Sequence, residues 1–486
     1  MRKRFEQQLA LGQLSIEDTY IGPKSRYAID ELLAALKEIY CNKEYNEKIF
    51  SILERHINFG KKKTGRPGMD LWCIFVLAQV RLCLDMSYEG LHHHANNNHV
   101  MRRVMGVERD FGFERIQFDY QHIYDNVSVL SDELLKELNQ VIVAFGHGQV
   151  FKKKESTALR LKTDSFVVES NVHFPTDYNL LWDCARKCLD VVSKFLKKYK
   201  GIKGWRKIGH WRGEIKGLMR ELGKANSSGG KNKAEKVTLA AENYLEKARL
   251  LMEKLRREVP GFPIGDTRDL ALVMALEYFM GLMEKHIDLV DRRILKGEKI
   301  PHQEKMFSIF ETYTEWITKG KLNPSVELGK KLAITTDQFG LIIDYHVMED
   351  EQDRDIVVEL ADRILPRQKV LSWSFDKGFW RKDNKELLQL EIPQVVMPKL
   401  GKRNKKEETE EKSPSFKRLK DKHSAIESNI NELENRGLDR CPDRGWHHYK
   451  RYIALGVSAY NLKKIGREIL SQQRQALEAE LKRMRA

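Results

Sequence analysis

Apolar residues recur every three or four positions through much of the first 150 residues, which is the spacing of amphipathic helices. The pattern predicts helices at AIDELLAALKEIYC (28–41), NEKIFSILERHI (46–57), DLWCIFVLAQVRLCL (70–84) and SDELLKELNQVIVAF (131–145). After the third of these, Ser87 is placed to cap a short helix that a second one follows, which resembles a helix-turn-helix. We therefore predict an all-helical, DNA-binding N-terminal domain over residues 1–150, although a plain helical bundle with basic decoration explains the same pattern.

A different pattern begins at LRLKTDSFVV (159–168), which is typical of a buried strand. The next strand-like segment is 327–349, with Gln338-Phe339-Gly340 as its turn, and helical periodicity fills the interval. We predict an α/β fold whose sheet domain is split by a large helical insertion after the first strand. The predicted boundaries are 151–184 and 321–472 for the sheet domain, 185–320 for the insertion and 473–486 for a C-terminal tail.

Further elements follow the second sheet segment. KVLSWSF (369–375) and PQVVMP (393–398) read as strands, and DIVVELADRIL (355–365) and NKELLQLEI (384–392) as helices. KLGKRNKKEETEEKSPSFKRLKDK (399–422) is nearly all charged and predicts a surface loop. HSAIESNINELENRGL (423–438) predicts a helix that ends at a glycine.

Three acidic residues stand out by their surroundings. Asp164 lies inside an apolar strand, Asp376 ends another strand, and Glu427 borders the inward face of a helix. Hard divalent cations such as Mg²⁺ bind carboxylate oxygens, and a pair of them can catalyse displacement at phosphorus. The alternative is that each acid forms an ion pair, since 86 Lys and Arg residues are available.

The overall charge of the chain indicates what kind of partner it binds. The formal net charge is +16, which favours a polyanion such as nucleic acid. The N-terminus has no apolar signal region, and no run reaches the ~18 apolar residues of a membrane span, so we expect a cytoplasmic protein without a membrane partner. Zinc is not expected, because Cys184 and Cys188 lack two further ligands and HHHANNNH (92–99) lacks a neighbouring carboxylate.

Several long segments resemble the DDE transposases of bacterial insertion sequences, most closely the ISNCY-like group. They are GRPGMDLWCIFVLAQVRLCLDMSYEGL (65–91), TDSFVVESNVHFPTDYNLLWD (163–183), SFDKGFWRKDN (374–384) and the stretch from His423 to Gly466. The resemblance covers most of residues 30–470, with the motifs in the same order. One feature departs from the family: many relatives have Tyr and Arg before the catalytic Glu and Lys after it, where this chain has Lys420, His423 and Glu434.

The resemblance implies a ribonuclease H-like core in which Asp164, Asp376 and Glu427 bind two Mg²⁺ ions, with Mn²⁺ as a substitute. It implies a DNA transposase that cleaves double-stranded DNA at terminal inverted repeats and joins the 3′-hydroxyl ends to target DNA. A homodimer is expected in the active complex. Two alternatives stay open: a domesticated, catalytically inactive DNA-binding protein, and a ribonuclease H-like nuclease without strand transfer.

Basic and aromatic residues are the candidates for DNA contact. The predicted set is Arg66, Arg102, Arg103, Trp205, Arg206, Trp211, Lys330, Arg418, Lys420 and His423. The tryptophans interleaved with cations suit stacking on an unpaired base, but helix packing explains them at least as well. Lys330 has a second interpretation as an ordinary surface residue at a strand edge. Arg418, Lys420 and His423 are candidates to replace the family's missing phosphate contacts.

Overall fold

The computed structural model describes residues 2–4, 11–60, 68–110, 112–153, 157–318 and 325–485. Contacts divide the chain into two compact units, Met1–Asn171 with Ile317–Ala486, and Val172–Trp316. The first unit holds the N-terminal helices together with the sheet, and the second consists mainly of helices. The insertion predicted at 185–320 therefore overlaps a unit that begins earlier, at Val172.

The N-terminal part of the first unit is helical, and the four helices predicted there are confirmed. Its helices are α1 (Ala28–Cys41), α2 (Lys43–Ile57), α3 (Leu71–Cys83), α4 (Tyr88–Asn97), α5 (His99–Val104), α6 (Tyr120–Val127) and α7 (Asp132–Phe145), followed by a π-helical turn at Gly146–Val150. Helix α3 is buried along its whole length. Ser87 caps α4 as predicted, since its side chain accepts a hydrogen bond from the backbone of Gly90.

A seven-stranded mixed sheet forms the middle of the first unit. Its strands are β1 (Leu159–Ser170), β2 (Glu315–Thr318), β3 (Val326–Thr336), β4 (Ile342–Val347), β5 (Val370–Phe375), β6 (Gln394–Val396) and β7 (Arg440–Cys441). Strand β3 pairs antiparallel with β1 and with β4, whereas β5 pairs parallel with β1 and with β6. The α/β class and the predicted strands are thus present.

Helices cover the two faces of this sheet and continue to the C-terminus. They are α12 (Val357–Ile364), α13 (Lys382–Glu391), α14 (Lys405–Lys412), α15 (Pro414–His423), α16 (Ala425–Leu433) and α17 (Trp446–Arg485), with short turns at Lys377–Phe379 and Glu434–Leu438. Leu161 and Trp373 of the sheet pack with α12 and α13 in one apolar core. Helices α15 and α16 contact β5 and β1 respectively.

The prediction of a surface loop at 399–422 was wrong, because α14 and α15 occupy most of it. Asn404 and Glu407 form a capping box at the start of α14. Ser413 caps α15 by accepting a hydrogen bond from the backbone of Phe416, whose side chain is buried. Caps and one buried aromatic ring are enough to order short helices whose composition alone suggests a loop.

Helix α17 ties the N-terminal helices to the sheet. It packs against α1, α3 and α7. Asn461 of α17 accepts a hydrogen bond from the backbone N–H of Ile342 at 2.8 Å and donates to its carbonyl at 2.9 Å. The amide of Asn139, on α7, donates to the same carbonyl at 3.1 Å. These buried amides fix the outer strand β4 to the helical part of the unit.

The second unit is built from four long helices around its own core. They are α8 (Asp177–Lys198), α9 (Ile208–Ser227), α10 (Lys233–Glu258) and α11 (Thr267–Val290), with shorter turns at Val259–Gly261, Asp291–Leu295 and His302–Glu304. Cys184 and Cys188 are unpaired thiols in this core, where burial raises their pKa values. Thr176 caps α8, since its side chain accepts a hydrogen bond from the backbone N–H of Asn179. Within the described residues of the chain, no helix has the length and apolar character needed to span a membrane.

Candidate active site

Asp164 and Asp376 are brought together by the register of two parallel strands. Lys162 of β1 lies opposite Ser374 of β5, and Thr163 lies opposite Phe375. The next pair in this register is Asp164 and Asp376, at the point where β5 ends. Since neighbouring strands are about 4.8 Å apart, the two carboxylates start from adjacent backbone positions on the same face of the sheet.

Glu427 approaches from the helix that packs on that face. It lies in the first turn of α16 and is exposed, whereas Ile426, Ile430 and Leu433 are buried and hold the helix in place. This confirms the predicted inward face of the helix. Gly437 has a φ of +94°, a conformation that favours glycine, and it ends the helical segment as expected.

The electrostatics of Asp164 reflect this crowding of acids. Burial raises the pKa of its carboxyl group from 3.8 to about 7, the backbone N–H of Ser165 opposes the rise, and the charges of Asp376, Asp353 and Glu427 add to it. In the described part of the chain, none of Asp164, Asp376 and Glu427 lies within 4.0 Å of a cationic nitrogen. The fold thus concentrates negative charge here without neutralising it.

Asp353 is a fourth acid near the site that the sequence analysis missed. Its carboxylate accepts a hydrogen bond from the Ser165 hydroxyl at 2.6 Å and another from the Lys331 ammonium at 2.9 Å. Ser165 follows Asp164 on β1 and therefore points to the opposite face of the sheet. A Cβ on Gly378 would lie 2.9 Å from this carboxylate, so the turn after Asp376 passes close to Asp353. Asp353 supports the turn from behind and is already paired.

A second group of potential ligands lies elsewhere in the same unit. His346, Glu351 and Glu359 place their ligand atoms within 4.8 Å of one another. Among the described residues, this is the group of three or more potential ligands that lie so close together. The oxygens of Asp164, Asp376 and Glu427 are therefore spaced more widely. His346 is bonded to Glu351 at 2.8 Å, and Glu359 also pairs with Arg363. Ion pairing accounts for this second group.

The donor chemistry of the first site fits divalent cations. It offers three carboxylates on well-defined elements, with Asp164 most buried and each free of a cationic side chain among the described residues. Oxygen-only donor sets of this kind suit Mg²⁺ or Mn²⁺. A buried carboxylate whose charge is opposed by three other acids is stabilised when a cation joins it.

Cationic residues lie beside the acids. His423 is mostly buried, its Nδ1 lies 3.0 Å from the Ser374 hydroxyl, and burial lowers its pKa to about 4. A neutral imidazole cannot supply the positive charge predicted for His423. Arg418 and Lys420 are exposed on α15 and form no ion pair with the described residues, as a DNA contact requires.

Three of the other predicted DNA contacts are buried and serve the fold instead. Arg102 has no exposed surface, because its guanidinium pairs with Glu108 and donates to the carbonyl of Ala95 at 2.9 Å. Lys330 is only 4% exposed, in the interior of the sheet and not at a strand edge. Trp205 is 2% exposed, with the Lys254 ammonium 4.7 Å from its ring centre. These contacts with DNA were wrong predictions.

The remaining predicted contacts have mixed positions. Arg103 is half-buried on α5, and Arg206 is exposed before α9. Trp211 is half-buried beneath the Lys247 ammonium, 4.3 Å from its ring centre, which agrees with the packing alternative. Arg66 lies outside the described residues.

Comparisons with protein-family models, curated proteins and solved structures find no match to this chain.

Proposed function

We propose that this chain is a DDE transposase that cuts the ends of an insertion sequence and joins them to target DNA. The observation that carries the proposal is the adjacency of Asp164 and Asp376 in the parallel register of β1 and β5, with Glu427 facing them and no cation neutralising them among the described residues. Asp164 is largely buried without a cationic partner among the described residues, which reduces stability, and such an acid is retained where a ligand needs it.

The sheet topology supports a ribonuclease H-like core. The strand order is β2-β3-β1-β5-β6, and β4 also pairs with β3. The β1–β3 and β3–β4 pairs are antiparallel, whereas the β1–β5 and β5–β6 pairs on the other side of β1 are parallel. In that fold the first strand is central and carries one catalytic acid, and the parallel neighbour carries the second at its end. The proposal assigns Asp164 and Asp376 to these two positions and Glu427, on a later helix, to the third acid.

Each group of residues at the site would have a separate role in the reaction. Asp164, Asp376 and Glu427 would hold the divalent cations, which when bound supply Lewis-acid stabilisation of charge on the attacking and leaving oxygens. Strand β1 provides a rigid platform, since it is paired on both edges. Asp353 accepts hydrogen bonds from Ser165 and Lys331 and lies close to the turn that follows Asp376. The nucleophile is water in the cleavage step and a DNA 3′-hydroxyl in the joining step, and a DNA 3′-oxygen is the leaving group of each.

The charge of the chain fits a DNA substrate. A formal net charge of +16 favours attraction to DNA, and Arg418 and Lys420 present positive charge close in sequence to Glu427. A transposase of a bacterial insertion sequence works in the cytoplasm, where its DNA is, and the proposal includes a homodimer that brings two ends together.

The proposal is tested with DNA from either side of the reading frame. Purified protein, Mg²⁺, a plasmid that carries both flanks and a second target plasmid are incubated, and the products are sequenced. We expect cuts at inverted repeats and joined donor–target molecules, both lost in Asp376→Asn. Cutting without joining would favour the nuclease, and binding without cutting would favour the inactive protein.

A further inference from the structure

A cavity of about 360 Å³ lies beside the three acids in the first unit. The beginnings of β1 and β5 form its floor, and α15 and α16 form its wall. Its lining includes three cations, Arg160, Lys162 and Lys422, and the hydroxyl groups of Ser372, Ser374 and Ser428. Acidic side chains are absent from the lining that the structure describes. Such a donor set is suited to an anion.

The cavity and the acids share one face of the sheet. Lys162 stands two residues before Asp164 on β1, and Ser374 stands two residues before Asp376 on β5. Side chains two residues apart on a strand point the same way and are about 7 Å apart along it. That separation is comparable to the distance between neighbouring phosphates of one DNA strand. A strand with one phosphate at the acids would therefore bring the next one to the cavity.

Positive charge predominates among the described side chains that line the cavity. Arg160 and Lys422 are exposed and form no ion pair there. Lys162 is half-buried, and its ammonium donates to the carbonyl of Asp337 at 3.4 Å. Burial lowers the pKa of Lys162, the charge of Asp337 opposes this shift, and the like charges of Lys422 and Lys464 add to it. This repulsion would be relieved by a bound anion, as the repulsion among the acids would be by a cation.

We infer that this cavity binds a phosphate group of the DNA strand next to the phosphate that reacts at the acids. The inference rests on the proposed function and adds a substrate contact to it. The volume accommodates a phosphate with its sugar. The cations neutralise the phosphate, and the serine hydroxyls donate hydrogen bonds to its oxygens.

The first test uses inorganic phosphate and the full chain without divalent metal. Thermal unfolding and calorimetric titration would measure phosphate binding to wild type, Lys162→Met, Lys422→Met and the control Lys417→Met, which removes an exposed cation of α15 that does not line the cavity. We expect millimolar phosphate to stabilise wild type and the control, and to bind roughly tenfold more weakly to the two cavity variants. No binding to wild type, or equal loss in the control, would overturn the inference.

The second test asks whether the phosphate belongs to DNA. Single methylphosphonates, which remove one backbone charge, are placed along the cleaved strand, and binding and cutting are measured. We expect a methylphosphonate at one position beside the cut to weaken DNA binding and cutting by wild type markedly, and those of Lys162→Met clearly less. If cutting occurs but no position couples to Lys162, the inference fails and the proposed function stands. If no DNA is cut, the proposed function fails, and the phosphate titration decides whether the cavity binds an anion.

Discussion

Two carboxylates of the same unit, Asp443 and Asp164, are both largely buried and yet treated in opposite ways by the fold. Asp443 accepts a hydrogen bond from Arg81 at 2.8 Å and lies 3.3 Å from Arg451. Burial acts to raise the pKa of Asp443, but the two guanidinium groups outweigh it and hold the pKa below its usual range. Asp164 has acids as neighbours instead, and its pKa is raised to about 7.

The comparison distinguishes a carboxylate that stabilises the fold through ion pairs, Asp443, from one that is left without a cationic partner, Asp164. Arg81 is 4% exposed and Arg451 is 2% exposed, so two buried guanidinium groups more than compensate the charge of the one carboxylate. The acids around Asp164 and the cations around Lys162 are each unbalanced in sign, and Asp376, Glu427, Arg160 and Lys422 are exposed. Groups of like charge that shift a neighbouring pKa in this way cluster at functional sites.

The largest expected effect is on catalysis. Asp376→Asn keeps the shape of the side chain but removes its charge, and we expect strand cleavage to fall by at least about 10² to 10³-fold. Affinity for DNA should stay close to that of wild type, because the cations that bind phosphate are untouched. Cleavage assays and fluorescence anisotropy on the same preparations measure both. Asp421→Asn, an exposed acid of α15, is the matched control and should cleave normally.

The next effect is on stability at the compensated site. Asp443→Asn leaves Arg81 and Arg451 buried without their counter-charge, which should lower the free energy of unfolding by about 3 to 5 kcal/mol. Urea denaturation followed by circular dichroism measures the change. A loss below about 1 kcal/mol would mean that the two sites do not differ as described. Any loss of cleavage in this variant should follow its unfolded fraction.

At Asp164, removal of the charge should increase the free energy of unfolding, whereas at Asp443 it should decrease it. Between pH 4 and 7 folded Asp164 keeps a proton that the unfolded chain has lost, because its pKa is raised from 3.8 to about 7. The wild type therefore loses stability as the pH rises through this window. Asp164→Asn removes that penalty and should stabilise the metal-free protein by about 1 to 3 kcal/mol near pH 8, and by little near pH 4. Urea denaturation at the two pH values tests this.

A neighbouring acid provides the control for that reversal. Asp353→Asn loses the charge partner of Lys331 and weakens the hydrogen bond from Ser165. We expect it to destabilise the protein under the same conditions. If both substitutions shift stability in the same direction, the distinction between unpaired and paired acids around this site does not hold.

The sequence predicted the elements that carry the three acids because local context reveals them. Apolar residues on both sides of Asp164 indicate a central strand, and the spacing of Ile426, Ile430 and Leu433 indicates which way Glu427 faces. The pairing of β1 with β5 joins segments about 200 residues apart, and no local pattern specifies it. The resemblance to a family supplied that expectation.

Other residues were beyond local reasoning, or were misjudged by it. Asp353 lies in the acidic segment MEDEQDRD (348–355), where one acid looks like the others until Lys331 is found beside it. Arg102 looked like a surface cation, although Glu108 six residues later offered a partner. The composition of the charged stretch at 399–422 predicts a loop, whereas the caps Asn404 and Ser413 order it as two helices.

The smallest predicted effect concerns the exposed cations of α15. Arg418→Met and Lys420→Met each remove one positive charge that has no acidic partner among the described residues. If each meets one phosphate, each variant should bind DNA a few-fold more weakly at moderate salt and reduce the slope of log affinity against log salt by about 1. Anisotropy titrations over a salt series measure the slope.

Lys331→Met is the control for this prediction. The Lys331 ammonium is already paired with Asp353, so the salt slope of this variant should match that of wild type while its stability falls. Equal slopes in all three variants would mean that α15 does not touch DNA and that the unbalanced positive charge acts only within the cavity.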